Sequence, residues 1–208
     1  LDQNDDPQMI FETMNGRGAS LTETDLIRNY IFMRADKSEV DLDSVYEKYW
    51  DEFDDASANF KWHDQTSRGR YYETHLQFFI IDYLTLKMRT DIRYDQVFYH
   101  YKFFILNNDS FTTVEEELKE LNRFSAIYKS ILQPNKETVF GRFCSRLGDM
   151  DISTIYPLIL AIQGDREIPL QEKTSMFTAL DSYITRRFLC GYTTKNYNNV
   201  FLDFIKQL

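Results

Sequence analysis

The chain has 208 residues, of which 43% are hydrophobic and 16% aromatic, which is enough to build a packed core. Its two cysteines exclude a disulfide-rich secreted scaffold and favour a reducing, cytoplasmic setting. No apolar run approaches the roughly 20 residues that a membrane-spanning helix needs, so we expect no membrane partner.

The net charge of −9 is unevenly distributed along the chain. Residues 1–119 contain 13 basic and 24 acidic side chains, a net charge of −11, whereas residues 120–208 contain 11 and 9, a net charge of +2. Because DNA is a polyanion, the acidic front half is a poor surface for it. Any DNA contact is therefore expected in residues 120–208. The simpler interpretation, that the charge keeps the protein in solution, stays open.

The first candidate site is the turn Asn15-Gly16-Arg17-Gly18, between two segments whose spacing predicts helices over about 8–14 and 22–36. The glycines permit positive φ, and the following helix start offers free N–H groups to an anion. Asn15, Arg17 and Gly18 are therefore candidate nucleotide or phosphate ligands, with Arg17 as a bidentate fork. The alternative is an ordinary helix–helix turn that Asn15 caps.

Helical periodicity continues through most of the chain, and seven glycines and four prolines are few, which favours long helices. The further helices are predicted over about 43–57, 69–89, 93–107, 113–132, 136–147, 152–163, 169–190 and 194–208, with a loop at 58–68. Tyr72 is expected on the apolar stripe of 69–89. Pro157 would stand four or five residues inside its helix, where it is tolerated or causes a kink, and Gly191 would end 169–190. The predicted fold is all-α, an irregular bundle of about nine or ten helices.

The second candidate site surrounds the end of the helix predicted over 169–190. Lysine, arginine, threonine and asparagine side chains near a helix start are typical contacts of a nucleic-acid backbone. The candidate DNA-backbone contacts are Arg186, Arg187, Thr194, Lys195 and Asn198. In the alternative interpretation the two arginines compensate the helix dipole, a threonine caps the next helix and Cys190 is a small buried residue.

Other catalytic chemistry has little support in the sequence. The three histidines, His63, His75 and His100, are scattered, and no pair has zinc-ligand spacing. The acidic run between Glu47 and Asp55 lacks the order of an EF-hand loop and is best read as a solvated helix face. We therefore predict no catalytic residue, no metal site and no cofactor in this segment.

Two runs in the chain resemble a known family. The first, N-x-x-G-x-x-L-x-x-x-D-L, is formed by Asn15, Gly18, Leu21, Asp25 and Leu26, and its flanks Ile10-Phe11-Glu12 and Asn29-Tyr30-Ile31-Phe32 also fit. The second consists of Arg186-Arg187-Phe188-Leu189-Cys190-Gly191, Thr193-Thr194-Lys195, Asn198 and Phe201. Both resemble GmrSD-type, modification-dependent restriction endonucleases. The stretch between the runs is similar only in length and helical class.

The D-G-Q-Q-R run and the H-N-H nuclease pattern of that family do not occur in these residues. We therefore expect an internal fragment of a longer protein. The resemblance implies that residues 1–36, beginning with a short extended segment at residues 1–4, end a ParB/sulfiredoxin-like, nucleotide-handling N-terminal domain. Residues 37–208 would form a helical middle domain.

The function implied by the resemblance is that of a non-catalytic segment in a DNA-restricting phage-defence protein. It would couple an NTP-hydrolysing sensor domain to an HNH nuclease domain, with NTP and Mg²⁺ used elsewhere in the parent. Its partners would be the flanking domains and, through the C-terminal half, DNA. The alternative is a stand-alone helical protein-interaction module. An enzyme is disfavoured because the sequence shows no constellation of catalytic side chains.

Overall fold

The structure, a computed structural model, describes residues 21–38, 40–107 and 111–208. These ranges form ten helices and one two-stranded hairpin, which confirms the predicted all-α, multi-helix class. The helices are α1 (Glu23–Lys37), α2 (Leu42–Tyr49), α3 (Asp51–Asp54), α4 (His75–Met88), α5 (Val97–Leu106), α6 (Val114–Leu132), α7 (Val139–Asp149), α8 (Tyr156–Gly164), α9 (Leu170–Leu189) and α10 (Tyr197–Gln207). The strands are β1 (Gln65–Arg68) and β2 (Tyr71–Thr74). Among the described helices, none has the length and apolar content needed to cross a membrane.

The hairpin replaces the end of the predicted loop and the start of the predicted helix over 69–89. The two strands pair antiparallel from Gln65 opposite Thr74 to Arg68 opposite Tyr71. The helix begins only at His75, because Thr74 caps it by accepting a hydrogen bond from the Gln77 N–H at 3.1 Å. Tyr72 therefore lies in a strand and is 61% exposed, so its predicted place in the core is wrong.

The helix predicted over 43–57 is interrupted at Trp50, which separates α2 from α3. Trp50 and Phe53 are both buried, and their rings lie 5.1 Å apart. Trp62 extends this aromatic cluster, with its ring 5.2 Å from that of Phe53. The break between α2 and α3 therefore occurs where these large aromatic rings are buried in the core. The predicted single helix missed this break, because apolar periodicity alone assumes an unbroken helix.

Helix α4 is central to the molecule. Nine of its 14 residues are buried, and it contacts α1, α5, α6, α8 and α10. One hydrophobic core extends from Ile27 in α1 to Ile205 in α10. The described helices therefore share one core, with α1, α5, α6, α8 and α10 packed directly against α4.

Helix α1 is fastened to this core by polar contacts as well as by apolar ones. Arg34 forms a two-pronged ion pair with Glu117, which is buried and also accepts a hydrogen bond from Tyr101. At the other end of α1, the Glu23 carboxylate accepts a hydrogen bond from the Phe98 N–H at 2.7 Å. The predicted domain boundary between residues 36 and 37 stays a prediction.

Two helix ends share one geometry. At the end of α9, Gly191 has φ +69°, and the N–H groups of Gly191 and Tyr192 donate to the carbonyls of Phe188 and Arg187, which is a Schellman motif. The end of α7 has the same pattern, with Asp151 at φ +53°. Gly191 thus follows the C-cap Cys190 rather than being the C-cap itself.

Pro157 is the second residue of α8, because the helix starts later than predicted, so no kink is needed.

Candidate functional site

The strongest candidate site is a cleft of about 1130 Å³ beside α4. The hairpin turn, the α4–α5 loop, the α7–α8 loop and the beginning of α10 form its walls. This volume is slightly above the range of about 300–1000 Å³ that is typical of ligand pockets. Most of the polar side chains that line the cleft come from loops and helix ends. The helices that carry these ends are packed in the hydrophobic core.

Arg68 forms the floor of the cleft. Its side chain is only 10% exposed, and its Nη1 donates to Asp82 Oδ2 at 2.7 Å, while Nη2 donates to the Tyr128 hydroxyl. The guanidinium also lies over the rings of Phe78 and Tyr156, at 4.5 and 4.7 Å from their centroids. The charge is thus partnered on several sides by an acid and by aromatic faces.

Burial shifts the acid of this pair. Burial raises the pKa of Asp82 to about 6, and the attraction of Arg68, which lowers the pKa, offsets only part of that rise. Burial likewise raises the pKa of Tyr156 to about 12. Perturbed groups in a cleft mark candidate functional sites, although structural ion pairs show the same shifts.

Two stacked tyrosines line the rim. The rings of Tyr71 and Tyr94 lie face to face, with centroids 3.7 Å apart and planes inclined by 4°. Arg70, at the hairpin turn, extends over Tyr71 and donates to its hydroxyl at 2.7 Å. Nearby, Arg93 and Asp95 form an exposed two-pronged pair. The rim therefore presents aromatic faces and guanidinium groups together.

The starts of α8 and α10 also open on the cleft. Neither helix has a side-chain cap at its start. Ser153 and Thr154 precede α8 and line the cleft, as do Asn198 and Asn199 in the first turn of α10. At the start of α8 the Tyr156 N–H donates to the Ser153 carbonyl at 3.0 Å and Pro157 has no N–H, so this helix start offers the cleft the positive end of its dipole but not its first two N–H groups. The cleft as a whole does not favour an anion, because its lining also includes the carboxylates of Glu73, Asp82, Asp91, Asp95 and Asp151.

The structure divides the five residues that the sequence proposed as DNA-backbone contacts. Thr194 and Asn198 line the cleft. Arg186 and Lys195 are exposed on the surface around the α9–α10 connection. The role of all these residues in DNA binding stays a prediction. Thr194 and Asn198 share a wall of the cleft with residues that the sequence analysis did not identify.

Arg187 has a structural position of its own. Its guanidinium lies 5.6, 5.2 and 5.4 Å from the ring centroids of Tyr183, Tyr192 and Tyr197, and it donates to the Thr193 carbonyl at 3.2 Å. These contacts hold the corner between α9 and α10. Cys190, expected to be buried, is exposed at this corner because it follows the last residue of α9.

The other candidate site lies outside the described residues. Asn15, Arg17 and Gly18, with the predicted helix over 8–14 and the extended segment before it, belong to residues 1–20. In the described ranges, no group of three or more His, Cys, Asp or Glu side chains is arranged to hold a metal ion. Cys144 is buried, which raises the pKa of its thiol to about 12 and leaves it a poor nucleophile.

Sequence reasoning missed Arg68, Asp82, Tyr71 and Tyr94 as parts of one site. Asp82 stands alone in the apolar stretch 76–84, and this isolated charge was a signal that it has a buried partner. No local pattern identifies Arg68 as that partner, since the pair forms only when the hairpin folds back on α4.

No protein-family model, curated protein or solved structure matches this chain. The site must therefore be interpreted from its own residues.

Proposed function

We propose that this chain is the non-catalytic helical body of a GmrSD-like, DNA-restricting defence protein. In that protein it would join an NTP-hydrolysing sensor domain to an HNH nuclease domain and carry the coupling between them. The support from sequence is the pair of runs ending near Phe32 and beginning near Arg186. NTP and Mg²⁺ would act in the flanking domains. The two free cysteines, Cys144 and Cys190, suit the cytoplasm.

The observation that carries this proposal is the position of α4. Helix α1 includes the Asp25-Leu26 and Asn29–Phe32 parts of the first run, and α10 includes Asn198 and Phe201 of the second. Helix α4 contacts both α1 and α10. Because packed helices transmit displacements rather than absorb them, a shift of α1 has a direct route to α10.

A one-methyl change tests this coupling in a protein that contains all three parts. Ile81 of α4 is buried and lines the cleft together with Phe201 and Ile205 of α10. We expect Ile81→Val to leave NTP hydrolysis intact and to lower NTP-stimulated DNA cleavage about 2- to 30-fold, the range of coupling effects of about 0.5–2 kcal/mol. Both rates are measured on the same preparation.

The matched control is Ile131→Val, the same change at a buried position in α6. Equal losses in both variants, or no loss in Ile81→Val, would contradict coupling through α4. The 208-residue chain alone is expected to turn over neither DNA nor NTP.

A stand-alone helical interaction module is the second candidate. Its support is the exposure of Phe188, Leu189 and Tyr192, at 54%, 77% and 61%. Such neighbouring apolar side chains on a surface are typical of contact sites with other proteins. This function predicts no dependence of any DNA or NTP activity on the segment.

A further inference from the structure

Helix α5 is apolar around almost its whole circumference. In its sequence, VFYHYKFFIL, only His100 and Lys102 have strongly polar side chains. One side of the helix, with Val97, Tyr101 and Phe104, is buried in the core. Because a helix that is apolar on all sides is normally covered on all sides, the opposite side of α5 is expected to have a partner of its own.

That opposite side is exposed. Tyr99, Phe103 and Leu106 are 63%, 47% and 66% exposed, and the rings of Tyr99 and Phe103 lie 6.4 Å apart. Their spacing of four and then three residues places them on one helix face, which we call the α5 stripe. Neighbouring exposed apolar side chains of this kind mark a contact surface.

The size of the α5 stripe suits an occupant that is part of the same chain. From Tyr99 to Leu106 the stripe extends about 10 Å along the helix. A stable contact between separate proteins buries about 800 Å² and about 20–30 residues on each side, which is far more than this stripe offers. A tethered segment needs less area, because the tether gives it a high effective concentration at the surface.

The beginning of α1 lies beside the stripe. Glu23, the first residue of α1, accepts a hydrogen bond at 2.7 Å from the N–H of Phe98, the residue before Tyr99. The chain that precedes Leu21 therefore departs from a point next to the stripe. Residues 15–20 alone can extend about 20 Å, which is more than the length of the stripe, so residues 8–14 are within reach of all of it.

Residues 8–14, QMIFETM, have side chains that complement the stripe. Met9, Ile10, Phe11 and Met14 are large and apolar, and Ile10 and Met14 are four residues apart, on one face of the helix predicted there. Methionine side chains are flexible and adapt to irregular apolar surfaces. This segment therefore offers apolar contact area of the kind that α5 leaves uncovered.

Charge favours the α5 stripe over the cleft as the binding place of this segment. Residues 1–14 contain four acidic residues and no lysine or arginine. Helix α5 has Lys102 beside the stripe and no acidic residue. The beginning of α1 is near the cleft as well, because burial and then the charge of Glu23 raise the pKa of Glu73. Five carboxylates and three guanidinium groups line the cleft, however, so its net charge repels an acidic segment.

We propose that residues 8–14 bind along the α5 stripe, with their apolar side chains against Tyr99, Phe103 and Leu106. This contact fastens the segment that precedes α1 to the helical body. It also holds the Asn15–Gly18 turn, which follows the segment, near the beginning of α1. The contact does not depend on coupling through α4 or on any DNA or NTP activity.

The first test measures hydrogen exchange at the amides of residues 9–14 in the 208-residue chain. Amides of a bound segment exchange only when the contact opens, so we expect them to be protected in the wild type. Phe103→Glu should lower this protection about tenfold or more, because it removes a large apolar contact and adds a charge that repels the acidic segment.

Phe188→Glu is the matched control, because Phe188 is similarly exposed, at 54%, and lies at the end of α9. It should keep the protection of the wild type. Both phenylalanines are exposed, so neither change opens the core, and circular dichroism checks that both variants are folded.

A second test uses cysteine pairs in a chain whose exposed Cys190 is changed to serine. Ile10→Cys combined with Phe103→Cys or with Leu106→Cys should form a disulfide within one molecule, since residues that face each other bring their Cα atoms within about 7 Å. Ile10→Cys/Phe188→Cys should not form one. Intact mass under non-reducing conditions distinguishes a bond within one molecule from a bond between two.

Protection that is lost in Phe103→Glu and kept in Phe188→Glu, together with a disulfide within one molecule, supports the proposal. The proposal is overturned if the amides of residues 9–14 are unprotected in the wild type, or if both glutamate variants lose the same protection. It is also overturned if neither α5 pair forms a disulfide, or if the disulfide joins two molecules, in which case a second copy of the chain covers the stripe.

Discussion

The protein contains the same ion pair in two environments. Arg68 and Asp82 are paired in the floor of the cleft, where both side chains are at least nine-tenths buried, whereas Arg93 and Asp95 are paired at the surface. Removing one partner of a buried ion pair leaves an uncompensated charge and strongly lowers the stability of the fold. An exposed ion pair contributes little to stability, because solvent screens the two charges. The two pairs therefore give a comparison within one molecule.

We expect Arg68→Met to lower the free energy of unfolding by about 3–5 kcal/mol at neutral pH, because it leaves Asp82 buried without a counter-charge. Arg93→Met should change it by less than about 1 kcal/mol. Denaturant unfolding measures both. The double variant Arg68→Met/Asp82→Asn should recover part of the loss, since no unpaired charge then remains.

The loss should also depend on pH, with a definite sign. The pKa of Asp82 is raised to about 6 even beside Arg68, and removing the guanidinium raises it further. A carboxyl group with a raised pKa favours the folded state when protonated, so Arg68→Met should regain stability as the pH falls from 7 towards 4. A loss that stays constant over this range would contradict a charge effect at Asp82.

Helix α7 shows how one element is fitted to its neighbours. A Cβ added to Gly141 would overlap the backbone carbonyl of Asn135, whereas a Cβ added to Gly148 in the same helix would meet no atom within 4 Å. Gly141 therefore permits a close approach of backbone to backbone. Gly148 carries only the cost of glycine in a helix.

We predict opposite effects of the same substitution at these two positions. Gly141→Ala should lower the free energy of unfolding by about 1–3 kcal/mol, because the backbone must move. Gly148→Ala should leave it unchanged or raise it by up to about 1 kcal/mol. Thermal unfolding followed by circular dichroism distinguishes them, and equal destabilisation by both changes would show that the approach of Asn135 is not limiting.

The elements also show which sequence signals are reliable. Thr22 and Thr113 are the N-caps of α1 and α6. The bounds that apolar periodicity predicted for these two helices agree with the structure to within one residue. The sequence prediction missed the hairpin because Tyr71 and Tyr72 extend the apolar spacing of α4 towards the N-terminus. The pattern of these residues therefore fitted a helix equally well. The Gly69-Arg70 turn and the cap at Thr74 decided against that helix.

At the scale of the whole molecule, the charge is divided between an acidic front half and a weakly basic back half. The predicted DNA contacts of the back half that are both charged and exposed are Arg186 and Lys195, near the α9–α10 corner. Arg187 stands between them in sequence, but it holds that corner through three tyrosine rings. It should therefore be left unchanged in a test of DNA binding.

We expect Arg186→Ala/Lys195→Ala to weaken binding to a DNA duplex and to flatten the log–log salt dependence of the binding constant by up to about two units. The effect should not depend on the DNA sequence, since phosphate contacts carry no sequence information. Fluorescence anisotropy at several salt concentrations measures both quantities.

Lys136→Ala/Arg166→Ala is the control, because it removes the same charge from exposed positions elsewhere in the back half. Equal weakening in both double variants would indicate a general charge effect. If Arg186→Ala/Lys195→Ala does not weaken DNA binding, these residues serve only the end of α9 and the start of α10. DNA binding would then belong to other domains.

The sequence by itself determined the fold class and most helix positions, because caps and apolar spacing act within a few residues of one another. It also proposed Thr194 and Asn198 as contacts of a nucleic-acid backbone, and that role stays a prediction. Only the tertiary structure decided that they share a cleft with Arg68, Arg70 and Asp82. These residues are far apart in sequence and follow no period. Their meeting depends on how the hairpin, α8 and α10 pack against α4, and the burial that perturbs Asp82 exists only after that packing.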